Sequence, residues 1–320
     1  MGFLSNTRFI RKTPVLALLL ALGLPARSLA VGETGAVELK IPVGVSAIAM
    51  GQAYVAVAND ANAVYWNPAG LRQLGGFHLT AQYDAYIAGV QYGYAAAGTK
   101  LGNDMAFGLG VKYLTTGTEP AVDSSGMTTG GTIGETYYDI DLALAYKLNY
   151  YLDIGITAKY ITKALATFNA ATFAGDIGLL YQTPLPHLSA GLNIQNIGPG
   201  MKFDQVTDPL PLNVKVGFAY KMFEDNFTMA YDMNFPNDNA ISASLGGQYW
   251  WNNTLVGRFG YRFQGAVDQN QVGGGFVPGL YLGAGFFGAV FKNFNVGLDY
   301  AWTNDGFLGA NHHFALNLYF

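Results

Sequence analysis

From residue 77 to the end of the chain, apolar and polar residues alternate with period two. That is the mark of a strand with one apolar and one polar face. Over 136–148, Tyr138, Ile140, Leu142, Leu144, Tyr146 and Leu148 share one face, and Tyr137, Asp139, Asp141, Ala143, Ala145 and Lys147 share the other. The same alternation runs through 212–222 and 294–303. Fourteen segments read this way: 77–86, 89–97, 104–115, 135–147, 151–163, 171–182, 187–197, 211–222, 226–235, 240–251, 254–264, 279–289, 294–303 and 311–320. A tilted strand crosses a bilayer in about 9–11 residues, and single-chain barrels use an even strand number. The pattern predicts an all-β fold, a transmembrane antiparallel β-barrel of about 14 strands.

The connections support this independently. After even-numbered strands they are short: 149–150, 183–186, 223–225, 252–253 and 290–293. After odd-numbered strands they are mostly longer: 116–134, 164–170, 198–210, 265–278 and 304–310, the first hairpin around Ile87-Ala88 being an exception. Outer-membrane barrels have short periplasmic turns and longer external loops, so the parity places both termini on the periplasmic side. In the last strand Phe314, Leu316, Leu318 and the terminal Phe320 form an outward apolar row, with His313, Ala315, Asn317 and Tyr319 inward. This ending resembles the recognition signal read by the barrel-assembly machinery.

Composition narrows the picture. Of the 320 residues only 12% are charged, 14% are aromatic, 42 are glycine and none is cysteine. A disulfide scaffold, a thiolate metal site and a cysteine nucleophile are therefore excluded. If the apolar rows meet lipid, the inward rows carry Asp84, Asp139, Asp141, Asp153, Asp176, Asp232 and Asp299 against Lys112, Lys147, Lys159, Lys215, Lys221, Arg258 and Arg262. An ion-selective pore needs rings of one sign; a balanced set points to paired charges in a filled barrel.

Residues 1–30 read as a signal peptide, with Arg8, Arg11 and Lys12 before an apolar run from Val15 to Leu24 and a small-residue site at Ser28-Leu29-Ala30. Its removal leaves 13 basic against 21 acidic residues, which argues against a nucleic-acid partner.

Residues 31–75 lack a clean period and are rich in Ala, Val and Gly, so they read as a plug, or hatch, inside the barrel of 76–320. Asn59-Asp60-Ala61-Asn62 forms a turn-rich break. Beyond it Asn67 can cap a helix start, Pro68 suits the first helical position and Gly70 can end a short turn. The stretch from Leu39 to Leu71, with Met50-Gly51-x-Ala53, then Asp60-Ala61, then Tyr65-Trp66-Asn67-Pro68-Ala69-Gly70-Leu71, closely resembles the N-terminal hatch of the PorV/PorQ family, which belongs with the FadL-type outer-membrane transporters.

The resemblance implies a fourteen-stranded barrel plugged by its hatch. For FadL-type members it further implies passive uptake of long-chain fatty acids or hydrocarbons through a lateral gap at a kinked third strand. Gly108 and Gly110 on the inward row of that strand are the candidates for such a kink. Tyr54, Tyr65 and Trp66 of the hatch, with inward Trp250 and Phe287, are candidate contacts for a hydrophobic ligand. A PorV-like role as an accessory of type IX secretion is the alternative. It would make a secretion component, rather than a small molecule, the partner alongside outer-membrane lipid.

No enzyme activity and no cofactor are expected. Gly283-Ala284-Gly285-Phe286-Phe287-Gly288 matches a dinucleotide pattern but lies within a strand, where that pattern has no phosphate-binding geometry. His312 and His313 point to opposite faces and cannot share a metal. His78 and Asp84 form the one inward acid–base pair, and no serine completes it.

Overall fold

The computed structural model describes residues 34–85, 89–264, 279–292, 294–304 and 309–320. Residues 1–33, with the expected signal peptide, the whole of 265–278, residues 305–308 and the tip of the first hairpin lie outside them.

The alternating segments become strands β1 (His78–Ala85), β2 (Gln91–Leu101), β3 (Met105–Val122), β4 (Thr128–Lys147), β5 (Leu152–Leu165), β6 (Phe168–Gln182) and β7 (Leu188–Ile197). A short hairpin follows, β8 (Met201–Phe203) with β9 (Val206–Asp208). The second run is β10 (Asn213–Met222), β11 (Phe227–Pro236), β12 (Ser242–Trp251), β13 (Leu255–Gln264), β14 (Leu280–Phe291), β15 (Phe294–Asn304) and β16 (Ala310–Tyr319). All but β8 and β9 pair in sequence order, and β1 closes on β16 from His78↔Tyr319 to Asp84↔His313. The result is a closed fourteen-stranded antiparallel barrel. Closure satisfies every strand edge, which the hydrocarbon core of a bilayer demands.

The two faces of the wall follow the alternation. Ile140, Leu142, Leu144, Phe218, Leu298, Phe314 and Leu316 are exposed on the outside, whereas Asp139, Asp141, Ala143, Lys215, Asp299, His313 and Asn317 are buried inside. A Lys or Arg on the outer face at mid-membrane would cost about 2–4 kcal/mol, so charge is kept to the interior, where several groups form ion pairs. Lys112 Nζ lies 2.8 Å from Asp139, Lys159 Nζ 2.9 Å from Asp176, and Arg258 meets Asp299. The expected His78–Asp84 pair is not formed. Asp84 instead meets His313 at 3.0 Å, and His78 Nδ1 accepts the Ala61 N–H.

Several connections expected to be loops are strand. β3 and β4 stay paired out to Val122↔Thr128, so 116–134 is a projecting hairpin. β5 and β6 pair out to Leu165↔Phe168, which leaves a tight turn where 164–170 had been read as a loop.

The hatch crosses the whole lumen. At the end carrying the long connections, the Gly35 N–H donates to Pro209 O, and Lys40 pairs with Asp238 at 2.7 Å. At the short-turn end, Arg72 donates to Asn103 O, and the Phe320 N–H donates to Phe77 O. Thr34 and Phe320 therefore sit at opposite ends of the barrel, not on one side as parity predicts. Parity counts strands alone, and the hatch adds one further traverse.

Candidate functional site

The hatch motif packs as a unit. Helix α1 (Val45–Ala49) lies against β13, β14 and β15, and α2 (Ala63–Trp66) leads into a 3-10 turn over Pro68–Gln73. Asn67 caps that turn by accepting the Ala69 N–H at 3.2 Å, and Pro68 occupies its first position. The Asn67 amide also donates to Val55 O at 2.8 Å and Leu179 O at 2.9 Å, so one side chain ties hatch to hatch and hatch to wall. Gly70 does not end the turn as expected but lies inside it, where glycine is needed since a Cβ would meet Ala58 O at 2.0 Å. Met50 and Gly51 press on wall glycines Gly246 and Gly260. Asp60 gathers the Ser46 hydroxyl, the Tyr54 hydroxyl and the Asn62 amide.

Gly108 and Gly110 belong to this packing rather than to a kink. β3 pairs without interruption on both sides from Met105 to Thr115. A Cβ at Gly108 would meet Val64 at 2.6 Å, and one at Gly110 would meet it at 3.1 Å. These glycines let the hatch touch the wall, so no lateral opening exists at that position.

Tyr65 is the hub of the motif. Its hydroxyl donates to Leu39 O at 3.1 Å. Its ring faces Lys112 at 4.5 Å, Lys215 at 5.2 Å and Lys159 at 5.7 Å, and Lys215 also lies 4.3 Å from the Trp66 ring. Both phenols act as donors, Tyr65 to Leu39 O and Tyr54 to the Asp60 carboxylate at 2.9 Å.

The candidate ligand contacts separate into two places. Tyr54, Trp250 and Phe287 line one cavity of about 730 Å³ at the short-turn end, where Trp250 and Phe287 pack 4.9 Å apart and Tyr319 lies 5.8 Å from Phe287. The same cavity carries Asp60, Glu224, Asp225 and Asp299 against Arg258. Tyr65 lines a separate cavity of about 80 Å³ near the long-connection end, with Lys40, Lys215 and Arg262. Trp66 is fully buried, with its indole N–H donating to Val43 O at 2.8 Å. Lys215 and the small cavity were missed as a site from sequence, where Lys215 counted only as one of seven inward bases.

In the last strand Phe314 and Leu316 face outward and are exposed, Leu318 is half-buried, and Phe320 packs 4.7 Å from Phe294 and 5.7 Å from Phe77.

No protein-family model and no curated protein matches this sequence. Solved structures do share its fold. The Pseudomonas putida toluene transporter TodX superposes with a TM-score of 0.58 at 14% identity, over 87% of this chain and 96% of that one. The Ralstonia pickettii toluene transporter TbuX gives 0.59 at 16%, over 87% and 97%. A Pseudomonas aeruginosa FadL homologue gives 0.57 at 10%, over 88% and 98%. At these identities the likeness establishes the architecture, a barrel of the FadL type.

Proposed function

We propose that this chain is an outer-membrane barrel that passes small hydrophobic molecules passively, with its short-turn end in the periplasm. The observation that carries this reading is the cavity of about 730 Å³ between hatch and wall, faced by Tyr54, Trp250 and Phe287. Its size is that of a small-molecule site, and Tyr54, Trp250, Phe287 and Tyr319 set an aromatic cluster into an otherwise largely polar lining. The fold neighbours include toluene transporters and a monoaromatic hydrocarbon channel, which supports the same substrate class. The hatch must shift for passage, because its central residues fill the lumen. The Phe314, Leu316, Leu318 and Phe320 row is the assembly signal in this reading. Proteoliposomes containing the full chain should take up labelled toluene or a long-chain fatty acid faster than empty ones, and equal rates would refute the proposal.

The second reading is a PorV-like accessory of protein secretion, in which the hatch stays fixed. Wall side chains grip the hatch backbone: Asp232 accepts the Tyr54 and Val55 N–H groups at 2.8 and 2.9 Å, and Gln195 donates to Tyr65 O at 2.6 Å. A hatch held this way suits a static scaffold. Co-purification with a much larger secretion component, with no uptake in the liposome assay, would select this reading.

A further inference from the structure

The three inward lysines that surround Tyr65 differ in one respect. The cross-strand neighbours of Lys112 include Asp139, and those of Lys159 include Asp141. Lys215 stands between Asn193 on β7 and Asn234 on β11. Both are neutral amides, and the Asn193 amide is already donated to Trp66 O at 2.9 Å. Lys215 is only 5% exposed and makes no ion pair among the described residues, its ammonium resting on the Tyr65 and Trp66 rings instead. Asp232 and Asp176 act on it only without direct contact, and Asp232 is already engaged by the Tyr54 and Val55 N–H groups. A buried ammonium with no direct ion pair is costly, and cation–π contact offsets only part of that cost.

This lysine lines the 80 Å³ cavity together with Arg262, whose Nη1 donates to Gln52 Oε1, whose Nη2 donates to Ser242 Oγ at 3.3 Å, and whose buried Nε has no partner among the described residues. Among the described residues lining it, Lys40, Lys215 and Arg262 face a single acid, Asp238, which Lys40 and the Thr34 hydroxyl already engage. Exposed Asn239 and Ala240 mark its mouth at the long-connection end. The volume exceeds the share of two water molecules, about 60 Å³.

We infer that this cavity binds one small oxyanion of phosphate or sulfate type, held by the Lys215 ammonium and the Arg262 guanidinium. The bound anion bridges wall and hatch, since Gln52 and Tyr65 of the hatch line the same space as Lys215 and Arg262 of the wall. The inference is independent of whether the barrel transports hydrophobic molecules. Two sources share the chemistry: free phosphate and a lipid phosphate headgroup.

The test is calorimetric titration of the full chain in a non-ionic detergent with inorganic phosphate and, separately, with dodecyl phosphate. Saturable phosphate binding that dodecyl phosphate displaces puts both sources on the same residues. Binding of dodecyl phosphate alone assigns the cavity to a headgroup, and binding of neither overturns the proposal. Asn234→Asp places a carboxylate beside Lys215 and should lower phosphate affinity more than about tenfold. Lys215→Arg keeps the charge and should retain binding. Circular dichroism confirms that each variant is folded. Unchanged phosphate affinity in folded Asn234→Asp would also overturn the assignment.

Discussion

Gly260 of β13 and Gly51 of the hatch meet backbone to backbone: a Cβ on Gly260 would lie 2.0 Å from the Gly51 nitrogen. Neither chain can give way, because both neighbours are main chain and Gly51 has a φ of 65°. Gly260→Ala should therefore destabilise the protein by at least about 1–3 kcal/mol, the range for overpacking. Urea unfolding followed by tryptophan fluorescence measures this. Parental stability would mean that the hatch does not seat on β13.

Asn67 makes three hydrogen bonds from one buried amide. Asn67→Asp turns two donors into acceptors facing the Val55 and Leu179 carbonyls. Each buried carbonyl left unpaired costs about 1–3 kcal/mol. Thermal denaturation should place Asn67→Asp well below Asn67→Ala, which removes the bonds without adding charge. The opposite order would remove Asn67 from its role as the link to β6.

Lys112 and Asp139 form a fully buried pair on β3 and β4. Lys112→Met alone strands a carboxylate and should cost about 3–5 kcal/mol. Lys112→Met combined with Asp139→Leu should recover most of that loss, since apolar replacement of a whole buried pair is often near neutral. A double-mutant cycle in urea reads the coupling, and additive losses would contradict it.

Tyr65 separates two contributions. Tyr65→Phe loses only the bond to Leu39 O and should cost about 1 kcal/mol. Tyr65→Leu also removes the ring faced by three ammonium groups, and each such contact contributes about 0.5–2 kcal/mol. Equal stability of the two variants would show that the lysines do not act through the ring.

The projecting β3–β4 hairpin supplies a pH-dependent prediction. Asp123 Oδ1 accepts the Ser125 hydroxyl and the Ser125 and Met127 N–H groups. These bonds hold its carboxyl below the usual range, with the Ser125 hydroxyl contributing most. A depressed pKa adds local stability that is complete above the ordinary carboxylate value and is lost as pH falls through the depressed one. Protection factors at the Ser125 and Met127 amides, taken relative to intrinsic exchange at each pH, should fall over that acidic interval and stay constant above it. Asp123→Asn should abolish the dependence.

The barrel was legible because lipid and lumen sort side chains by a strict period of two, so Ile140 and Asp141 declare their faces without any tertiary information. Asn67 and Pro68 likewise carry a local capping chemistry that survived into the structure. What depended on distance was not legible. Gly108 looked like a bend because nothing local reveals that Val64 sits over it. His78 and Asp84 share a face, yet their partners come from the hatch and from β16. The clustering of Tyr54 with Trp250 and Phe287 required the path of the hatch. The singular position of Lys215 was readable only from register, which sets Asn193 and Asn234 where its neighbours Lys112 and Lys159 have acids.

The passage of residues 34–75 through the lumen also limits the routes open to biogenesis. The polypeptide continues from Gly76 directly into β1, and β1 shuts against β16, the last strand made. The enclosed segment is therefore tethered at its rear to the seam. To be encircled it must be in place before that seam zips, or be drawn in afterwards from the opposite rim like a thread pulled through an eyelet. Once the ring has closed, its leading end is the one it can retreat by, and the rim that carries Asp238 is the exit.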